Sequence, residues 1–164
     1  MRELNQIRDA VIAALRAGGL TAVAAFPAER AKRYACPVAA VAVETAESRA
    51  VGFGSYLGEE TDPETGACRE LYGRELEAEI AVDVRGERAA DCEAGCETAA
   101  AVLLGGLPAG IRPGELRWEA LAWERETGMF LRRGRLQCRA AFVARSQGDG
   151  TAFLDFVLKG VLTT

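Results

Sequence analysis

Between Tyr72 and Val84 the chain alternates. Leu76, Ala78, Ile80, Val82 and Val84 are apolar, while Glu75, Glu77, Glu79 and Asp83 are acidic. Side chains along a strand point to opposite faces at a period of two, so this segment is a strand with one buried and one acidic face. That pattern suits an antiparallel sheet with a single covered side. The rest of the chain must supply the cover, and at 164 residues there is room for one core.

Two segments change to a helical period. From Arg2 to Ala17, Leu4, Ile7, Val11, Ala14 and Leu15 form one stripe, and Gly18-Gly19 ends it. From Glu87 to Leu104, Ala89, Cys92, Cys96, Ala99, Ala100 and Leu103 do the same before Gly105-Gly106. Further strands are expected at Leu20 to Phe26, Pro37 to Thr45, Arg49 to Leu57, Leu116 to Glu126, Met129 to Arg145 and Ala152 to Leu162. The last three read as a meander. The stretch from Gly58 to Glu70 is acidic, contains proline and glycine, and has no apolar period, so it reads as a long polar loop. The order helix, strands, helix, strands gives an α+β domain, two helices packed on a mostly antiparallel β-sheet. Of the residues, 31 are alanine and 7% are aromatic, so the layers must approach closely.

Chemistry is narrowed by one absence: there is no histidine, hence no Ser-His-Asp triad, Cys-His dyad or imidazole metal site. The Gly52-x-Gly54 pair lacks the third glycine of a phosphate-binding turn. No catalytic, cofactor or metal site is assigned. Cys92 and Cys96 would share a helix face and could offer two thiolates to zinc, but small buried apolar roles suit them better. The five cysteines have no disulfide-scaffold spacing and read as free thiols. Charged residues at Arg2, Glu3, Arg8, Asp9 and Arg16 interrupt any apolar signal core, and no apolar run is long enough to span a bilayer. A soluble cytoplasmic chain with no membrane partner is expected. A net charge of −4 removes the basic field of sequence-independent DNA binding, and no stacking platform indicates sequence-specific nucleic-acid readout.

What remains are surfaces. In the final strand both phases are apolar, with Phe153, Val157 and Val161 against Leu154, Phe156, Leu158 and Leu162, so it must be central in the sheet or covered by a neighbouring subunit. Arg132, Arg133 and Arg135 form a basic cluster suited to polar contacts with an acidic partner, including the acidic strand of another copy. Glu75, Glu77 and Glu79 form an acidic face for a lumen or an inter-subunit contact. Trp118 and Trp123, five apart, fall on opposite faces unless a bulge intervenes; a core role for both is the favoured reading, with an interface anchor for one of them as the alternative.

Several local patterns together resemble the tail terminator, or tail completion, proteins of long-tailed bacteriophages and prophages. They are the first helix LNQIRDAVIAALRAG, a valine-rich strand, the acidic segment, YGRELEAEIAVDV, the second helix, and TGMFLRRGRLQCRAAFVAR followed by FLDFVLKGVL. The resemblance implies a small α+β subunit that forms a homo-oligomeric, hexameric ring. Such a ring caps the tail tube, stops its growth and joins it to head-neck proteins, a structural role in virion assembly without cofactor. It also implies assembly in the bacterial cytoplasm and residence in the virion tail. In a ring, Phe153, Phe156, Val157 and Val161 would pack subunits, Arg132, Arg133 and Arg135 would make polar contacts, and Glu75, Glu77 and Glu79 would face passing DNA. The alternatives are another phage neck protein, for head completion or connection, or a dimeric ferredoxin-like ligand-binding domain or enzyme, which would need an apolar pocket with convergent polar groups.

Overall fold

A computed structural model describes residues 2–26, 34–51, 53–146 and 156–160. Helix α1 spans Arg2–Ala17 and buries Ile7, Ala10, Val11, Ile12 and Leu15, the stripe set by 3.6-residue spacing. It ends where Gly19 takes φ +90° and Leu20 donates back to the Leu15 carbonyl at 3.0 Å. The strands are β1 (Thr21–Val23), β2 (Val38–Ala50), β3 (Tyr56–Thr61), β4 (Cys68–Gly86), β5 (Ile111–Trp118), β6 (Ala122–Glu124), β7 (Met129–Arg145) and β8 (Val157–Leu158), with helix α2 (Ala89–Gly105) after β4.

The fold is α+β, and its sheet is mixed but mostly antiparallel. The order is β1-β2-β4-β7-β5, and only the β1–β2 pair is parallel. On β4 the sequence alternation holds: Leu76, Ala78, Ile80, Val82 and Val84 are buried, and their partners on β7 include Leu136, Cys138 and Ala140. Both helices lie on that face. Helix α2 approaches the sheet through small residues: at Gly95 a Cβ would stand 2.7 Å from Pro37 Cβ and 2.9 Å from Val84 Cγ1. This is the close packing that an alanine-rich composition requires.

Three segments differ from the sequence expectation. The stretch from Gly58 to Glu70 is not a long loop: Gly58–Thr61 belong to β3 and Cys68–Glu70 to β4. Between them Asp62 builds a tight turn, its Oδ1 accepting from the Glu64 and Thr65 amides at 2.8 and 3.2 Å. No alternation marks these strands because neither face is buried. The extended piece from Arg49 to Leu57 is also divided. A 3-10 turn at Phe53–Ser55, with Gly54 and Ser55 at φ 59° and 65°, carries the chain from β2 to β3 along the same edge of β4.

The third difference is topological. A meander would place β8 across β7 from β5, but β5, β6 and β8 all pair with β7, whose opposite edge is filled by β4. Leu158 sits beside Phe142, just beyond Ile111 opposite Ala140, so β8 continues the β5 edge. Most of the expected final strand, including Phe153 and Val161, lies outside the described residues.

Candidate functional site: the open sheet face and the projecting hairpin

Because the helices occupy one face, odd-numbered residues of β4 and β7 form an open face without a second layer among the described residues. The register puts Glu77 opposite Arg139, Glu79 opposite Gln137, Ala81 opposite Arg135 and Asp83 opposite Arg133. Arg133 and Arg135, two of the three arginines singled out in the sequence, thus lie across from the acidic strand of their own chain. Arg139 reaches Glu77 at 3.0 Å, and Arg49 of β2 reaches the same carboxylate at 3.1 Å. Arg135 bridges Asp83 at 3.1 Å and Glu44 at 3.0 Å, where Glu44 occupies the bulge between Val43 and Thr45. Burial by itself would lower the Arg135 pKa, but the hydrogen bond to Asp83 together with the charges of Asp83, Glu44 and Glu119 raises it overall.

The basic cluster divides by strand parity. Arg133 and Arg135 belong to the open face, whereas Arg132 lies on the helix side, 3.9 Å from Glu93 of α2, with its Nε buried and without a hydrogen-bond partner. Glu75, Glu77 and Glu79 do share the open face, but with arginines interleaved it is a mixed-charge ladder and not an acidic wall. Across it runs a groove of about 740 Å³ lined by Glu47, Glu77, Glu79, Arg112, Gln137 and Arg139, among others. This trough is open and polar, with the Arg139–Glu77 pair as part of its wall.

At one end, Val38 and Leu131 flank Arg85 in the ladder and Met129 lies opposite Glu124, a small buried patch on the open face. Arg85 and Glu124 close over it through paired contacts of 2.7 and 2.9 Å, and the Thr127 hydroxyl donates to Glu124 at 2.6 Å. The Arg85 hydrogen bond, aided by Thr127, holds the Glu124 carboxyl below the usual glutamate range. The Arg85 guanidinium also lies 4.5 Å above the Phe26 ring.

At the other end the sheet runs on past its helices. A strand of 19 residues, such as β4, extends roughly 60 Å at about 3.3 Å per residue. Its first three residues, β2 from Glu44 onward and nearly all of β3 are exposed, so the β2–β3/β4 hairpin projects as an arm with both faces in solvent. Arg145 at the end of β7 holds its base through Glu60 at 2.7 Å. Tyr56 and Leu57 are 44% and 47% exposed, with Leu57 lying over Gly73 and the Tyr56 ring edge-on to Tyr72, centroids 5.9 Å apart. Sequence reasoning missed this arm; its one signal was aromatic Tyr56 and Leu57 flanked by polar residues.

Of the residues expected to pack subunits, Phe153 and Val161 lie outside the described residues, and Phe156 is placed inside its own chain. Phe156 is 8% exposed and belongs to the core of its own chain, beneath the Arg74 guanidinium at 4.4 Å. Val157 is half-buried and Leu158 fully buried. Gln6 of α1 clamps the strand, its Nε2 donating to the Phe156 carbonyl and its Oε1 accepting from the Leu158 amide, both at 2.8 Å. Trp118 and Trp123 fall on the same face, because the register shifts by one residue between Trp118 opposite Gly134 and Trp123 opposite Phe130. Trp118 packs on Gly134 against the core, and Trp123 is 56% exposed, edge-on to Phe130 at 5.0 Å.

Cys92, Cys96 and Cys138 are buried. Burial pushes the Cys96 thiol up to about 12 and Cys138 to about 11, so these side chains act as neutral packing groups. Among the described residues no group of three or more cysteine or carboxylate side chains is arranged to hold a metal ion. No helix among them is long and apolar enough to cross a membrane. In comparisons with known proteins, the chain matches no protein-family model and no curated protein.

Proposed function

We propose that this protein is a structural assembly subunit, not an enzyme, and that it acts as its sequence resemblance implies: a tail terminator that forms a ring on the tail tube and joins it to the head. Assembly would take place in the bacterial cytoplasm, with the ring retained in the virion tail. The observation that carries this reading is the projecting hairpin. Strands with both faces in solvent gain little from their own chain, because stable sheets need a hydrophobic face packed on something. An arm that exposes Tyr56 and Leu57 is therefore suited to being covered by another chain.

The test is growth of purified tail-tube protein in the presence of this chain. A terminator added at substoichiometric amounts should shorten the tubes and be found at one tube end by electron microscopy. Tubes of unchanged length with no bound protein would refute the proposal.

A further inference from the structure

We infer that copies of this chain join head to tail, the acidic arm of one copy lying against the arginine-bearing β5–β7 edge of the next. The inference rests on the assembly reading above and adds to it which surfaces meet. The sheet order sets the two surfaces at opposite edges, β2–β3 at one and β5–β6 at the other. Strand β1 covers β2 only at Val38–Ala40, so the remainder of that edge has no neighbour among the described residues.

Charge supplies the complementarity. From Glu44 to Glu77 there are nine acidic and three basic residues, and from Ile111 to Arg145 eight arginines and four acids. Part of this is satisfied inside one copy, by Arg135, Arg139 and Arg145. Arg112, Arg125 and Arg133 make no ion pair among the described residues, nor do Glu59 and Glu64 on the arm. Each edge also carries exposed apolar or aromatic groups, Tyr56 and Leu57 on one and Trp123 on the other.

Pro113 defines the kind of contact. It stands within β5 opposite Cys138 and has no amide hydrogen to offer a further strand. The β5 edge therefore resists extension of the β-ladder, and the contact is made by side chains, with charge fixing the register and salt weakening it. Two different surfaces that meet in this way form a heterologous interface, which closes into a ring when the rotation between copies allows.

The experiment is a charge swap on the full chain, read as solution mass by light scattering. Wild type should exceed the 17.5 kDa of one chain several-fold at low salt and lose mass as salt rises. The arm variant Glu59→Lys/Glu64→Lys and the edge variant Arg112→Glu/Arg133→Glu should each be monomeric, with circular dichroism unchanged. Mixed in equal amounts they should regain the wild-type mass, because a reversed arm then meets a reversed edge. A monomeric wild type at every concentration, a mass insensitive to both variants, or a mixture that stays monomeric would each overturn the inference. The tube-growth assay separates this from the functional reading. Capping by a protein whose mass ignores both variants would leave the terminator standing without this contact; a working swap with no capping would do the reverse.

Discussion

Replacing Gln6 should release β8. The Gln6 carboxamide makes two contacts with the same strand, donating to the Phe156 carbonyl and accepting from the Leu158 amide, each at 2.8 Å. Only a side chain carrying both a donor and an acceptor can do this. A hydrogen bond contributes about 1 kcal/mol net, more when its loss strands a partly buried group, so Gln6→Ala should cost about 2 kcal/mol. For a domain of this size, that is a fall in Tm of about 4 to 8 °C. Gln6→Glu is the sharper variant. Its carboxylate still accepts from Leu158 but faces the Phe156 oxygen without a proton to donate. The site therefore raises the carboxyl pKa, and the penalty is present at neutral pH and shrinks as pH falls through that value, when the acid can donate again. The assays are thermal unfolding at pH 7 and pH 4 and hydrogen exchange at the Leu158 and Lys159 amides, the latter bonded to the Ala141 carbonyl at 2.8 Å. A Gln6→Ala protein with unchanged Tm and slow exchange at both amides would refute the view that α1 holds this strand within its own chain.

Two further outcomes are expected. Glu124→Gln should destabilise by about 1 to 3 kcal/mol, since it removes the charged partner of Arg85, a side chain only 12% exposed. Because the Glu124 pKa is lowered in the fold, that stabilisation is complete above about pH 4.5 and is lost as pH falls through the lowered value. Denaturant titrations at pH 7 and pH 3 should show the gap between wild type and variant closing at the acid end. Alkylation under native conditions should label Cys68, which is exposed, and leave Cys92, Cys96 and Cys138 unmodified until denaturant is added, as mass mapping of peptides would show.

The elements that were legible in the sequence are those that bury one face. Val84 and Leu76 mark β4, Ile7 and Leu15 mark α1, and Cys92 and Leu103 mark α2, because burial selects apolar residues at a fixed period. The arm buries neither face, so Glu59, Glu60 and Glu70 carry no period and read as loop. The faces of Trp118 and Trp123 were hidden by a one-residue shift, which local alternation cannot locate. The partners of Arg135 and Arg139 depended on which strands are neighbours. Local pattern shows that β4 is acidic and β7 basic; only the pairing order brings Asp83 and Glu77 within reach.

That pairing order also explains why the arm, and not the open face, is the surface to look to for contacts. On the body, cross-strand pairs such as Arg139 with Glu77 each contribute up to about 1 kcal/mol and hold β2, β4 and β7 in register above a packed core. Their charges are largely matched within the chain, so a partner would have to displace them. Beyond Leu71, opposite Arg145, β7 ends, and β3 with the start of β4 continues as two strands without helix or third strand among the described residues. A two-stranded ribbon alone is marginal in water. Its hydrogen bonds should open at far lower free energy than those of the central sheet. Covering Tyr56 and Leu57 with a second copy would supply the missing layer and match carboxylates that have no ion pair among the described residues, so the arm has more to gain from association than the already paired face does.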